Sequence, residues 1–209
     1  MANKRELQKA ANRAAIIEAA GAEFARSGYA GTSIADIAAA MGRPKSAIGQ
    51  HQFASKEAIA VAVIATQWER WIAMRNDLEA RMPAGIERLL EFLLAAAADA
   101  RANSVALGAV RLLAERNETE LTLDEPPFHW IALTASEVQA SIEAGTLKTD
   151  RSSIDIARTI LSAGYGVFDA VNRGLRTAQA DIDAALRQVW SDLLAGIDPD
   201  TRTTFHILA

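Results

Sequence analysis

The amino-acid sequence predicts an all-α protein in which a short N-terminal head of three helices is joined to a larger C-terminal helical bundle. Along the 209 residues, apolar side chains recur at spacings of three and four, which is the period of an amphipathic helix. No segment sustains the alternation of apolar and polar residues that indicates a strand. Hydrophobic residues make up 50% of the chain, enough for one sizeable domain or two small ones.

Local signals predict the boundaries of the first two helices. The first covers about residues 12–26 and ends at Ser27-Gly28, where glycine tolerates a positive φ. Ser33 and Asp36 have the spacing of a capping box at the start of the second helix. This second helix is expected to stop at Gly42.

The later helices follow from similar signals. Pro44 suits the first turn of a third helix, where its missing N–H does no harm. Ser55 is the expected N-cap of a fourth helix, which continues toward Met82-Pro83. The remaining predicted helices cover about residues 84–100, 103–116, 126–144, 152–174 and 180–195.

The charge of the chain is unevenly distributed. The net charge is −4, yet residues 1–60 hold eight Lys and Arg against five Asp and Glu, or +3, which leaves −7 for the remainder. A basic head on an acidic body is expected where only the head meets a polyanion such as nucleic acid.

The composition also excludes several classes of site. There is no cysteine, which removes disulfides, thiolate catalysis and sulfur-ligated metal sites. The start, MANKRELQKAANR, lacks the apolar segment of a secretory signal. The longest apolar stretch, residues 89–100, is interrupted by Glu91 and Asp99 and is too short to cross a bilayer. We therefore expect a cytoplasmic protein that does not span a membrane.

The second and third helices have the spacing of a helix-turn-helix, with a tight turn over residues 41–43. In that motif the second helix enters the DNA major groove, where its exposed side chains meet phosphates and base edges. Ile48 and Phe53 would pack inward. The side chains that remain available to contact DNA are Lys45, Ser46, Gln50 and His51.

The run TSIADIAAAMG (32–42), followed by PKSAIGQHQFASKEAIA (44–60), resembles the DNA-binding head of the TetR family of repressors. The family pattern has a threonine-rich start, then I-A-x-x-x-G, K-G-x-L-Y-x-H-F and S-K-E-x-L. The resemblance implies a DNA-binding domain over residues 1–55, followed by a ligand-binding and dimerisation domain over residues 56–209. The residues predicted to bind DNA are Thr32, Ser33, Arg43, Lys45, Ser46, Gln50, His51 and Lys56.

The recognition segment departs from the family pattern at two positions. Gln50 most nearly matches the usual tyrosine, and the segment from Lys45 to Phe53 is one residue longer, with Gly49 as the insertion. A glycine weakens a helix by about 1 kcal/mol relative to alanine and can shift the register of the residues after it. The base contacts of Gln50 and His51 depend on that register.

Apolar stripes on the last two predicted helices indicate a dimer interface. One short helix reads too few base pairs for useful discrimination, so a head of this size needs a partner copy. Two helices from each copy would form a four-helix bundle, in which a glycine allows close approach. The same stripes could pack inside the monomer, and the TetR resemblance favours the dimer. The predicted interface residues are Ile160, Gly164, Phe168, Trp190 and Leu194.

Aromatic residues in the middle of the chain could line a cavity for a small apolar molecule or simply fill a core. The segments GAVRLLAERN (108–117) and PPFHWIALTASEVQASIEAGTLKTD (126–150) resemble the γ-butyrolactone receptor branch of TetR repressors. In that branch a tryptophan at the position of Trp130 lines the ligand cavity. The residues predicted to bind ligand are Trp68, Trp71, Phe92, Phe128 and Trp130.

Two other classes of protein compete with a regulator. An enzyme is disfavoured because the three histidines fall in separate segments and no phosphate loop, nucleophile elbow or H-E-x-x-H helix is present. A structural helical protein could instead use its basic head to bind an acidic partner protein. We expect a homodimeric repressor of palindromic operators, without metal or other cofactor, released by a small hydrophobic effector such as a γ-butyrolactone. A regulator of an efflux or catabolic gene that answers to a different hydrophobic ligand is the alternative.

Overall fold

A computed structural model describes residues 4–48, 52–116, 119, 121–123, 125–172 and 182–200. Over these residues the chain forms α-helices, one 3₁₀ turn and connecting loops, and the all-α prediction is confirmed. The helices are α1 (Lys4–Ser27), α2 (Ile34–Ala40), α3 (Lys56–Arg81), α4 (Ile86–Ala102), α5 (Ser104–Glu115), α6 (Trp130–Glu143), α7 (Ser153–Asn172) and α8 (Ile182–Ala195).

Two helices begin at residues other than those that the sequence predicted. α1 begins at Lys4 instead of near residue 12, so it includes two additional turns that carry no apolar stripe. α6 begins at Trp130 instead of near residue 126. Pro126 and Pro127 disfavour the helical conformation at residues 125 and 126, because each proline restricts the residue before it, so the helix does not start there.

The chain divides into two compact units. The first consists of Met1–Ile72 and Asp99–Pro126, and the second consists of Ala73–Ala98 and Pro127–Ala209. The chain passes between the two units three times, within α3, within α4 and at Pro126-Pro127. The predicted DNA-binding domain, residues 1–55, falls wholly within the first unit, and its C-terminal limit at residue 55 stays a prediction.

The core of the first unit collects one apolar face from each of its helices. On α1 the apolar stripe Ile16, Ala20 and Phe24 is buried, with the spacing of four that the sequence predicted. Burying an isoleucine or phenylalanine side chain contributes about 1.5–3 kcal/mol relative to leaving it exposed. The partners of this stripe in the core are Ile37, Ala38, Ile48, Phe53, Ile59, Ala60, Ala62, Val63, Ile64, Val105, Ala109 and Leu112.

A pair of glycines lets α1 and α5 cross with their backbones in contact. A Cβ added at Gly21 would lie 2.6 Å from Val105 Cα, and one added at Gly108 would lie 2.9 Å from Gly21 Cα. Both distances are shorter than real Cβ contacts, and the atoms they meet belong to the backbone. Only glycine therefore fits at either position without separating the two helices.

The core of the second unit gathers α4, α6, α7 and α8 around one tryptophan. Trp190 on α8 is buried, and its Nε1 donates a hydrogen bond of 3.1 Å to the carbonyl oxygen of Ile160 on α7. The ring therefore lies in the core without an unsatisfied N–H. The other buried members are Ile86, Leu89, Leu90, Leu94, Val138, Leu147, Ile156, Val167, Ile182, Leu186 and Leu194.

Side chains of α6 bind the first turn of α4. The backbone N–H of Gly85 donates to Glu137 Oε2 over 2.7 Å, and that of Ile86 donates to Ser141 Oγ over 2.9 Å. Amides at the start of a helix have no partner within the helix, so these oxygens satisfy donors that are buried here. Gly85 has a φ of 151°, a conformation that side chains other than glycine rarely adopt.

Replacing Gly108 by alanine should destabilise the first unit. The new methyl group would press against the backbone of Gly21, and overpacking of this kind typically costs about 1–3 kcal/mol. Urea unfolding followed by far-ultraviolet circular dichroism measures the loss. Gly166→Ala is the matched control, because a Cβ at Gly166 in α7 meets nothing within 4 Å. Equal midpoints for the two variants would contradict the close crossing of α1 and α5.

Candidate nucleic-acid interface and effector site

The second helix of the head is capped at both ends by its own sequence. Ser33 Oγ accepts from the N–H of Asp36 over 3.2 Å, and Asp36 Oδ2 accepts from the N–H of Ser33 over 2.9 Å. This confirms the predicted capping box. The hydrogen bonds from the hydroxyl and the backbone N–H of Ser33 lower the pKa of Asp36. The carboxylate therefore stays ionised beside the positive end of the helix dipole.

The turn between the two helices of the motif is a Schellman motif. Gly42 has a φ of 63°, which permits its N–H to bond Ala39 O over 2.9 Å. The N–H of Arg43 then bonds Ala38 O, also over 2.9 Å. The two bonds satisfy carbonyl groups at the end of α2 and redirect the chain toward Pro44.

The recognition segment begins with the 3₁₀ turn Lys45–Ala47, where the sequence predicted the start of a helix. Ile48 and Phe53 are buried in the core of the first unit, as predicted. Lys45 and Ser46 are exposed. Residues 49–51 lie outside the described residues. The predicted DNA contacts of Gln50 and His51 therefore stay predictions.

Four of the predicted DNA-binding residues lie exposed at this motif: Ser33, Arg43, Lys45 and Ser46. Arg43 also hydrogen-bonds Asn12 Oδ1 on α1, which restrains the guanidinium beside the motif. Lysine and arginine side chains can donate to phosphate oxygens or to guanine. The described part of the motif therefore presents donors at the turn and at the first residues of the recognition segment.

The side chains of Thr32 and Lys56 make hydrogen bonds within the first unit. Thr32 is buried, and its Oγ1 donates to Gly28 O over 2.8 Å. Lys56 Nζ donates to Tyr29 O over 2.8 Å and lies 4.1 Å from the centre of the Tyr29 ring. Both residues therefore donate to carbonyl groups at the end of α1 and in the loop that follows it. Their predicted contacts with phosphate stay predictions.

Two paired side chains on α5 form hydrogen bonds with the backbone at the end of α1. No local pattern in the sequence predicted these contacts. Arg111 Nη1 donates to Ala25 O over 2.9 Å, and Arg111 Nε donates to Glu115 Oε1 over 2.8 Å. Glu115 Oε2 accepts from the N–H of Tyr29 over 2.9 Å. Together with the glycine crossing, these bonds fix the position of α1 on α5.

Three of the five predicted ligand-binding residues form an aromatic cluster in the second unit. The rings of Phe92 and Trp130 are stacked with centroids 5.4 Å apart. Phe128 contacts both rings edge-on, at 5.1 Å from Trp130 and 6.1 Å from Phe92. Phe92 is buried, and Phe128 and Trp130 are partly buried. Polarisable aromatic rings of this kind line small-molecule sites.

Phe92 of the aromatic cluster also borders a small cavity with charged walls. The space is about 10 Å³, roughly enough for one water molecule. Arg88 Nη2 and Glu137 Oε1 form an ion pair of 2.6 Å in its wall, and both side chains are largely buried. The remaining lining residues are Arg75, Leu78, Leu89, Phe92 and Leu133.

The other two predicted ligand-binding residues, Trp68 and Trp71, belong to the first unit. Trp68 is partly buried against the core of that unit, and Trp71 is buried. Their predicted contact with a ligand stays a prediction.

The predicted dimer residues on α7 and α8 are mostly core residues of a single chain. Ile160, Trp190 and Leu194 are buried. A Cβ at Gly164 would lie 3.0 Å from the Trp190 ring, so this glycine makes room for a side chain of its own chain. Phe168 is partly exposed, and α7 also exposes Ile154 and Tyr165, at 47% and 56% of their surface.

The described residues include neither a metal-binding cluster nor a membrane-spanning helix. No group of three or more His, Cys, Asp or Glu side chains is placed to hold a metal ion there. None of the described helices combines the length and the hydropathy that a bilayer crossing demands.

Comparison with known proteins identifies the head. Residues 16–63 match the family described as bacterial regulatory proteins, tetR family. None of the curated proteins compared with the sequence matches it.

Solved structures match over nearly the whole chain. One, from work on the "molecular basis for control of antibiotic production by a bacterial hormones", is 29% identical with a TM-score of 0.72 and covers 88% of this chain and 96% of its own. A γ-butyrolactone receptor (ArpA-like protein) is 23% identical with a TM-score of 0.80, over 96% of each chain.

A third similar structure is CprB from Streptomyces coelicolor in complex with its biological operator sequence. It is 24% identical, with a TM-score of 0.78 over 93% of this chain and 92% of that one. The head therefore matches the tetR family over residues 16–63, and the chain has the fold of these solved structures, a γ-butyrolactone receptor and CprB among them.

Proposed function

We propose that this protein is a homodimeric transcriptional repressor that binds a palindromic operator and is released from it by a small apolar effector. The observation that carries the proposal is the TetR-type helix-turn-helix, which is capped at both ends of α2 and exposes Arg43 and Lys45. Two such heads related by a two-fold axis would read two half-sites in successive major grooves.

Dimerisation would use the exposed side of α7. Ile154 and Tyr165 are large apolar side chains on the surface of one chain, and Phe168 is partly exposed nearby in the sequence. Pairing this surface with its copy would remove apolar area from water, which is the main favourable term in association. The buried Ile160, Trp190 and Leu194 would support the interface from inside each chain.

The effector would bind at the aromatic cluster of Phe92, Phe128 and Trp130. Because the adjacent cavity has room for about one water molecule, a larger ligand must displace side chains in order to enter. A γ-butyrolactone combines an apolar chain with carbonyl acceptors, so its chain could contact the rings while Arg88 donates to its polar end. Related receptors of this fold make that class the first to test.

Release from DNA would follow from a shift between two states of the dimer. α3 and α4 are the helices that connect the second unit with the first, so displacement of either by the effector would reach the head. The change would alter the spacing of the two recognition segments, which must match successive major grooves. An effector achieves this only if it binds the released state more tightly than the DNA-bound state.

Replacing Lys45 by alanine should weaken binding to all DNA sequences, since an exposed lysine at the front of the recognition segment contributes a phosphate contact. The slope of log K against log salt should become shallower by about 1.8, the value for two contacts, one from each protomer. Fluorescence anisotropy over a range of salt concentrations measures it. Lys148→Ala removes another exposed lysine, which follows α6, and should change neither quantity. An unchanged slope for Lys45→Ala would exclude the contact.

Replacing Trp130 by alanine should abolish release by the effector, because the variant loses one of the three rings of the aromatic cluster. DNA binding should stay intact. The measurement is the fraction of protein–DNA complex that survives increasing concentrations of γ-butyrolactones with different alkyl chains. Wild-type protein that no member of the panel releases would point to a different hydrophobic effector.

A second comparison separates a ligand contact from a structural role of Trp130. Thermal unfolding of Trp130→Ala shows whether the second unit still folds. Loss of both DNA binding and cooperative unfolding would make Trp130 a core residue. Unaltered release by a ligand that acts on the wild type would contradict its place in the site.

A further inference from the structure

The positive charge of the head is concentrated in the first turns of α1. Residues 4–13 hold four basic side chains against Glu6, a net charge of +3. Residues 14–60 hold four basic and four acidic side chains, so their net charge is zero. The whole basic excess of the first sixty residues therefore lies ahead of residues 16–63, which carry the family match.

These basic turns, residues 4–13, project from the core of the first unit. Residues 4–11 are all exposed, and Ile16 is the first buried residue of α1. Burial of an apolar face normally supplies most of the stability of a helix in a protein. Residues 4–11 bury no apolar face. Core packing therefore does not explain why these turns combine helix-forming residues with Lys4, Arg5 and Lys9.

Contacts with the recognition segment fix the direction of the basic turns. Arg13 Nη1 donates to Gln52 O over 3.0 Å, and its guanidinium lies 4.1 Å from the centre of the Phe53 ring. One residue earlier in the sequence, Asn12 accepts a hydrogen bond from Arg43 at the helix-turn-helix. The basic turns and the recognition segment therefore form one continuous surface. Its shallow concave part is lined by Lys4, Arg5, Gln8, Lys9, Asn12 and Gln52.

We propose that the basic turns are a second DNA-binding surface, which contacts the phosphate backbone beside the base pairs that the recognition segment reads. The inference rests on the DNA binding proposed above and adds a separate set of contacts to it. The helix rises 1.5 Å per residue, so Lys4 lies roughly 12 Å along the axis from Asn12. That length corresponds to about three or four base pairs, given one phosphate per 3.4 Å on each strand.

The chemistry of the surface favours phosphate over base edges. Lysine and arginine on exposed turns are long and can reach backbone oxygens without fixed geometry, and such contacts position a protein without reading sequence. The body of the protein is acidic, since the whole chain has a net charge of −4 and residues 1–60 have +3. The basic turns would therefore offset the repulsion between DNA and the rest of the dimer.

The test compares two triple variants with the same change in net charge. Lys4→Gln, Arg5→Gln and Lys9→Gln together remove the charge of the basic turns. Arg81→Gln, Lys148→Gln and Arg151→Gln together remove three exposed charges of the second unit, none of them on α7. Wild-type protein first selects its site from a pool of random duplexes. Binding is then measured over a range of salt on that site, both bare and with ten further base pairs on each side.

For the variant of the basic turns we expect a slope of log K against log salt that is shallower by about 5.4, the value for six phosphate contacts, three from each protomer of the dimer. Wild-type protein should bind the extended duplex more tightly than the bare site, and this variant should lose most of that gain. The variant of the second unit should behave as the wild type. Circular dichroism checks that both variants retain the helical content of the wild type.

The outcomes separate this inference from the proposed function. If the wild type selects a site and the variant of the basic turns keeps its slope and flank dependence, the second surface is excluded while the repressor proposal stands. Capture of an acidic protein by that surface, with an unchanged slope on DNA, would overturn the inference in the same way. If the wild type selects no site but its slope on mixed-sequence DNA drops in that variant, the surface binds DNA and operator reading fails.

Discussion

The backbone contact between α1 and α5 is the constraint on which the geometry of the head depends. Gly21 and Gly108 let the two helices approach to a distance that no Cβ would allow. Arg111 and Glu115 then hold the last residues of α1 and the N–H of Tyr29 by hydrogen bonds. Since α1 also contacts Arg43 and Gln52, its placement determines where the recognition segment is presented.

In the second unit, buried polar groups form hydrogen bonds that hold a helix end and an arginine within the apolar core. Glu137 accepts from the first turn of α4 and pairs with Arg88, so one carboxylate satisfies both a helix end and a buried guanidinium. Removing one partner of such a pair leaves a buried charge, which costs several kcal/mol, about 3–5. The pair lies in the wall of the same cavity that Phe92 borders, and a ligand that entered there would have to accommodate both charges.

Local signals predicted the fold well and the long-range contacts poorly. The capping box at Ser33, the glycine turn at Gly42 and the N-cap at Ser55 each involve residues within a few positions, so the sequence alone was sufficient. The start of α1 was missed because its exposed turns carry no apolar period.

The sites depend on contacts between residues far apart in the sequence. The apolar stripe containing Ile160 and Trp190 predicts a core and an interface equally well, and in one chain these residues are core. Arg88 and Glu137 are too distant in sequence for any pattern to connect them. The three rings of the aromatic cluster were candidates from the aromatic content of the middle of the chain, and the family resemblance pointed to Trp130 alone.

The most direct test is retardation of the DNA upstream of the protein's own gene, with unrelated DNA as competitor and γ-butyrolactones added afterwards. A discrete complex that survives the competitor and dissociates with an effector is the predicted result. Binding that unrelated DNA removes completely would contradict a sequence-specific repressor.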